Sequence, residues 1–492
     1  MPPTVTFPLT NSAYTHLPES FFQRALPTPV KSPAVVLWNS ALAHQFGIDA
    51  CGPDALGTIL GGNEVVSGAT PIAAAYAGHQ FGHFVPQLGD GRAIVLGELK
   101  DRHGVAHELQ LKGAGRTAFS RGGDGRAAVG PVIREYLASE AMHALGIPTT
   151  RALAATITGE AVFREKPLPG AVLTRVARSH VRVGTFQYFA ARRDFGSVRK
   201  LADYMIERFF PAAAGDSQRY RAFFLLVRDA QAALVSRWMQ VGFIHGVMNT
   251  DNMSILGDTI DYGPCAFMDA YDPATVYSAI DRHGRYAYAN QPSIAAWNLA
   301  RFAETMLQLF DPDQAKALAW AQDAIGGFEP AFRADWLAGM RAKIGLTTEH
   351  PGDDRLIEDL LGVMQSGRAD YTLSFRRLAT VANGIANPAF IGLFRQTDPI
   401  ETWLARWWQR LKLEGRPLTE IERRMTRVNP AFILRNHRVE WAIDAAVERD
   451  DFSLARELHS VLADPFEDRP EYAGYQNPPA PGDWKCQTFC GT

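Results

Sequence analysis

The sequence predicts an α+β protein with its strands early and its helices late. Three observations carry this. Segments with strand character fall before about residue 180, at Val85–Glu98, His107–Lys112, Thr150–Ile157 and Ala171–Val176. Beyond them apolar residues recur at helical spacing, as in Arg221–Met239, where Phe223, Val227, Ala230, Leu234 and Trp238 share one stripe. A polar stretch, Ile244–Met253, then interrupts the helical half and is followed by Asp261-Tyr262-Gly263. With 492 residues, 47% of them hydrophobic and 21% charged, the chain can bury a large core and form two lobes.

The elements are expected in this order. Residues 1–75 read as a wrapping extension with short helices, for example Ala34–Phe46. A small strand-rich lobe follows over residues 76–180, a larger helical lobe over 181–463, and an extended tail over 464–492. His79 and His83 are four apart, but Gly78 and Gly82 argue against the helix that would align them on a metal, so packing is their expected role. Val85–Glu98 reads as a hairpin around Gly89-Asp90-Gly91-Arg92, either a tight turn or a lid with backbone N–H groups and Arg92 facing phosphate. The strand His107–Lys112 ends in a lysine and runs into a loop, Gly113–Arg126, rich in glycine and arginine. Glycines there allow close backbone approach to phosphate, and arginines suit forked recognition of its oxygens.

The next helix, Val129–Leu145, carries Glu135 and Glu140 and stops at Gly146-Ile147-Pro148. Two strands then flank a proline-rich turn at residues 166–170, and Arg175, Arg178 and Arg182 emerge from the second. Arg175 and Arg182 at the expected junction of the lobes suggest a phosphate clamp. In the helical half, Ser293 reads as the cap of a helix ending at Phe310, and Trp407-Trp408 as core.

The polar stretch holds the candidate chemistry. Ser254–Ile260 reads as two short strands about a Gly257-Asp258 turn, which would return Asp261 to the side of Asn252. An amide oxygen and a carboxylate meeting at one point suit Mg²⁺ or Mn²⁺ carried with substrate phosphates. Asp251 is left beside them as a candidate base. This resembles a kinase catalytic loop and its metal-binding segment, with Lys112 as the phosphate-holding lysine and Glu135 as its ion-pair partner. Val247 stands where protein kinases carry the catalytic Asp, while His245-Gly246 resembles small-molecule phosphotransferases. Taken alone, an Asp-Asn pair is more often a pair of simple turn residues; the rest of the chain favours the chemical reading here.

Composition narrows the function classes. A formal net charge of -2 implies no pull toward nucleic acid or acidic membranes, and no apolar run reaches membrane-spanning length. Residues 1–8 lack the pattern of a signal peptide. Four cysteines, Cys51, Cys265, Cys486 and Cys490, are too few for a disulfide scaffold, so a reducing cytoplasm is expected. A monomer is also expected.

Tyr76–Phe81, Gln87–Arg92, Leu109–Arg126, His245–Asn252, Asp261–Pro264, Gly284–Tyr286 with Asn290–Pro292, Asn429-Pro430 with Arg435-Asn436, and a cysteine near the C-terminus together resemble the selenoprotein O family, whose bacterial branch is known as YdiU. The resemblance runs in matching order from about residue 10 to the end. It implies a kinase-like fold that binds ATP inverted and transfers AMP, in some members UMP with Mn²⁺, to Ser, Thr or Tyr hydroxyls of proteins. It assigns Gly89, Gly91, Arg92, Lys112, Asp124, Gly125, Arg175 and Arg182 to the nucleotide, Asn252 and Asp261 to the metal, Asp251 to proton acceptance and Cys490 to redox chemistry. A partner cysteine known in some relatives would align with Tyr277, and Cys265 is nearer the site. A small-molecule kinase and a non-catalytic nucleotide-binding scaffold are the competing readings.

Overall fold

The computed structural model describes residues 7–48, 53–382 and 387–480. Its first half is built on one eight-stranded sheet. The strands are β1 (Phe22–Arg24), β2 (Ala34–Trp38), β3 (Ile72–Ala74), β6 (Ala93–Lys100), β7 (Ala106–Lys112), β8 (Ala127–Ala128), β9 (Arg151–Phe163) and β10 (Pro167–Ala177). Their order is β1-β3-β6-β7-β10-β9-β2, with β8 alongside β10. The remaining early strands, β4 (Gly78–Gln80) and β5 (His83–Val85), form a separate hairpin.

Alternation along the strands sorts side chains to two faces. Ile94, Leu96, Leu109, Leu111 and Val172 enter one apolar cluster with Leu42, Phe46 and Leu60 from the N-terminal helices. The opposite face, with Val95 and Leu173, packs on the helix Val129–Ala144 through Ile133, Tyr136 and Leu137. The antiparallel register sets Leu173 opposite Lys112 and Arg175 opposite Gln110. Period two therefore puts Lys112 and Arg175 on the helix-covered face, where Glu135 can meet them.

Several sequence expectations need correction. Ala34–Phe46 is not one helix. Its first part is edge strand β2, and only Ser40–Gln45 is helical, capped by the Asn39 side chain. The β-branched pair Val35-Val36 and the pairing surface offered by β9 outweigh helix propensity there. Val85–Glu98 is not a hairpin either. The Leu88 and Asp90 amides donate to the Tyr76 and Ala74 carbonyls, so the segment before β6 lies along residues 74–76. Residues 167–170 belong to β10, and the turn falls earlier. The helix expected from Ser293 is Gln291–Phe310, beginning two residues sooner with Pro292 in its first turn. The tail is not wholly extended: Pro470–Gln476 forms a 3₁₀ segment.

The second half is helical, and its key element is the helix Arg219–Val241. It ends at Gly242, whose φ of 73° lets the chain reverse. The chain then enters β11 (Phe243–Ile244), paired antiparallel with β12 (Ala266–Phe267). The polar stretch is the loop between those two strands, so it is pinned at both ends. Trp407 is fully buried, and Tyr371 and Tyr288 both donate to the Met239 carbonyl beneath the same helix end. Among the described residues no helix is long and apolar enough to cross a membrane.

Candidate active site

The loop that carries Asp251 and Asp261 owes its shape to buried polar anchors. Ser254–Ile260 does not form the expected hairpin. Ser254 and Thr259 bridge instead to Arg182 and Thr149, residues far away in sequence. The ends are drawn together by His245, which is fully buried and donates from Nε2 to the Ile260 carbonyl at 2.9 Å. Its own amide donates to Gln291 Oε1, and burial holds its ring below the ordinary histidine range. Asp261 itself takes φ 62°, a left-handed conformation that Asp tolerates better than most residues.

Asp261 is the centre of a charge cluster. Lys112 Nζ and Arg175 Nη2 donate to its Oδ1 at 2.7 and 2.6 Å, and Arg182 Nη1 to its Oδ2 at 2.8 Å. Lys112 Nζ also reaches Glu135 Oε2 at 2.6 Å, and Arg175 closes the ring onto Glu135 Oε1. Three cations face two carboxylates. Burial alone would push the Asp261 carboxyl up, but Lys112, Arg175 and Arg182 together hold it well below the usual carboxylate range. Arg175 and Arg182 are nearly wholly buried, turned onto Asp261 rather than presented on an open clamp face.

Asp251 has an opposite setting. Arg182 Nη1 grips its backbone carbonyl at 2.7 Å, not its side chain. Gln80 Nε2 donates to Oδ2 at 3.2 Å, and Oδ1 is buried with no hydrogen-bond partner among the described residues. Burial pushes this carboxyl up to about 6. Gly78 is the reason it fits: a Cβ there would stand 2.4 Å from Asp251 Oδ1. The hairpin β4–β5 is fastened over the loop by further bonds. The His79 amide donates to Thr250 Oγ1 at 2.7 Å and the Phe81 amide to Asn249 Oδ1 at 3.0 Å, which also accepts from the Tyr286 hydroxyl at 2.7 Å. Gln187 joins Thr250 to His79. Sequence reasoning left Gln80, Gln187, Asn249, Thr250 and Tyr286 without a role at this site. The glycines at 78 and 82, which mark close backbone approach, were the available signal.

Asn252 donates from Nδ2 to the Val247 carbonyl at 3.0 Å, which leaves its amide oxygen as the available half. No group of three or more His, Cys, Asp or Glu side chains gathers as a metal cage among the described residues. One amide oxygen and one carboxylate fit an ion that arrives with phosphates and water better than a protein-made cage.

The other candidate residues lie toward the sheet. The Gly89-Asp90-Gly91 turn stacks on the glycine-rich loop: a Cβ at Gly89 would meet the Phe119 ring at 2.3 Å, and Thr117 Oγ1 donates to the Asp90 carbonyl at 2.7 Å. Arg92 follows this turn directly and is half-buried. Gly125 accepts from the Gly115 amide at 3.0 Å and so closes the loop. Asp124 is engaged by Arg164, which holds its carboxyl below the usual range. Arg126 is spent on the Thr28 and Pro29 carbonyls. Tyr277 donates to the Phe267 carbonyl at 3.1 Å, and Cys265 is buried. Cys51, Cys486 and Cys490 lie outside the described residues, and with them the redox expectation for Cys490.

A family profile described as Protein adenylyltransferase SelO matches residues 8–463. The chain belongs to that family. It is similar over nearly its whole length to proteins named Protein nucleotidyltransferase YdiU. That of Rhizobium rhizogenes is 57% identical over 484 residues, covering 98% of this chain and 96% of the relative. That of Rhizobium meliloti is 57% identical over 484 residues, covering 98% and 99%. That of Bradyrhizobium diazoefficiens is 57% identical over 494 residues, covering 99% and 100%. Membership makes this chain an enzyme of the nucleotidyltransferase class, acting on a nucleotide substrate such as ATP.

Proposed function

We propose that this enzyme transfers AMP from ATP, or UMP from UTP, to Ser, Thr or Tyr hydroxyls of proteins and releases pyrophosphate. The observation that carries the reading is the convergence of Lys112, Arg175 and Arg182 on Asp261, with Arg182 gripping the Asp251 backbone as well. In the kinase-like arrangement we propose, the sheet and the helical half form two lobes about this cluster. Gly89, Gly91, Arg92, Asp124 and Gly125 would border the nucleotide, and Cys490 is kept as a redox candidate on the tail.

Once turned from Asp261 toward a bound nucleotide, Lys112, Arg175 and Arg182 would favour its most charged part, the β- and γ-phosphates. Their placement there would leave the α-phosphate facing Asp251, the inverted orientation that the family resemblance suggests. The acceptor hydroxyl oxygen then attacks the α-phosphorus, and its proton passes to Asp251. The bond from the α-phosphorus to the bridging oxygen breaks, and Lys112 and the arginines stabilise the charge left on pyrophosphate. Asn252 and Asp261 would hold Mg²⁺ or Mn²⁺, which supplies charge neutralisation of phosphate oxygens when bound. Because Gly78–Gln80 covers Asp251, the hydroxyl reaches it only when that strand yields.

Labelled ATP tests this. Label on the α-phosphate is expected on protein, and label on the γ-phosphate is not. Transfer from the γ position, with ADP released, would make the chain a kinase. Nucleotide binding with no transfer at all would make it a scaffold.

A further inference from the structure

Beside the hairpin that covers Asp251 lies a groove of about 570 Å³, within the size range of ligand sites. Phe81 and His83 of the hairpin form one wall, and residues 280–283 with Arg285 and Ile294 form the other. The lining joins apolar surface to positive charge. Ile280 is 60% exposed and stands beside Phe81 in the lining, so the groove offers an apolar surface. Arg282 is exposed and Arg285 half-exposed, and neither is ion-paired among the described residues. The one carboxylate in the lining, Asp281, is turned inward and accepts from the Arg285 and Tyr286 amides at 2.9 and 2.8 Å. Arg285 is held in place by stacking on Trp297 at 4.7 Å, and its Nε has no hydrogen-bond partner among the described residues.

The groove is coupled to the candidate base. Both walls end on Asn249, through the Phe81 amide and the Tyr286 hydroxyl, and Asn249 is two residues before Asp251. Gln80, next to the groove-lining Phe81, touches the Asp251 carboxylate. An extended polypeptide rises about 3.3 Å per residue, so one lying here brings a hydroxyl to Asp251 within a few residues.

We propose that this groove docks the acceptor polypeptide and selects a segment with Asp or Glu and one apolar side chain beside the modified hydroxyl. The proposal rests on the reading above that the acceptor is a protein. Arg282 and Arg285 meet the acidic side chains, and Ile280 and Phe81 the apolar one.

The test uses the full chain and two fluorescent decapeptides, each with one Ser, one flanked by Glu and Leu and the other by Lys and Leu. Fluorescence anisotropy gives affinities, and incorporation of α-labelled nucleotide is measured in parallel. The acidic peptide is expected to bind about tenfold tighter, with the preference shrinking as salt rises. Arg282→Glu and Ile280→Asp are each expected to weaken it roughly fivefold without moving the unfolding temperature, since both side chains are exposed. Equal binding of the two peptides, or affinity unchanged in both variants, overturns the groove even if nucleotide transfer proceeds. Selective, Arg282-dependent binding without any α-label transfer keeps the groove and removes the reading of the reaction. Tighter, Arg282-dependent binding of an oligoribonucleotide overturns the polypeptide in favour of RNA.

Discussion

Asp251 and Asp261 sit on the same loop, ten residues apart, Asp251 buried and Asp261 largely so. Their surroundings drive them in opposite directions. Asp261 takes contacts from three cations and stays ionised far into acid. Among the described residues Asp251 takes one side-chain amide donor and leaves an oxygen without a partner, and it rises to about 6. Burial penalises the charged form of both. Only the placement of Lys112, Arg175 and Arg182 decides which keeps its charge. A permanently ionised carboxylate suits holding cations; one whose ordinary value has been lifted suits accepting a proton.

Substitutions at the two positions should therefore separate in sign. Asp261→Asn is the larger change. It leaves Lys112 and Arg175 with Glu135 alone and Arg182 without a carboxylate, and breaking a buried pair costs about 3–5 kcal/mol. We expect nucleotide transfer to fall below detection and the unfolding temperature to drop. Asp251→Asn should reduce transfer by about 10²–10⁴-fold while leaving nucleotide affinity intact. It should raise the unfolding temperature, because a buried carboxylate with an unpartnered oxygen is replaced by a neutral amide. A lower unfolding temperature for Asp251→Asn, or wild-type transfer, would break the comparison.

Another buried ionisable group, in the helical half, sharpens it. Lys343 is 3% exposed, with Nζ 4.2 Å above the Phe375 ring and 5.5 Å above Tyr371. Burial lowers it from 10.5 to about 7. Below about pH 7 the folded and unfolded chains both carry the proton, and the folded state bears the full burial penalty. Between about 7 and 10.5 the unfolded chain holds a proton that the folded chain has released, so stability rises with pH across that window. Lys343→Met should abolish this slope and raise stability at neutral pH without altering transfer. Thermal unfolding from pH 7 to 10 reads both effects. The smallest expected effect is at Gln80. Gln80→Leu removes the donor that Gln80 Nε2 supplies to the Asp251 side chain and should slow transfer by about tenfold or less, with nucleotide affinity unchanged. If transfer and the pH dependence of its rate both stay at wild type, Gln80 does not position Asp251.

How much of this was legible differs by kind of contact. The helix Val129–Ala144 and strands β7, β9 and β10 lay close to where periodicity placed them, because helical and strand spacing are local properties. Pairing was not local. The Val85–Glu98 segment lies along residues 74–76, and the two ends of Ser254–Ile260 bridge to Arg182 and Thr149. Turn residues suggested hairpins in both, since the competing partners were invisible from inside the window.

The sequence by itself determined the chemical inventory: an Asp-Asn pair, a later Asp, a strand-end lysine, a helix glutamate and two arginines, in an order that belongs to one family. Tertiary pairing of β7 with β10 put Lys112 and Arg175 on the face that Glu135 covers. Tertiary structure decided which carboxylate those cations serve, and that Asp251 is instead roofed by a strand 171 residues away through Gln80. The physical reason is that a carboxylate's ionisation depends on charges and solvent within a few ångströms, and those neighbours are supplied by chain segments whose meeting no local pattern encodes.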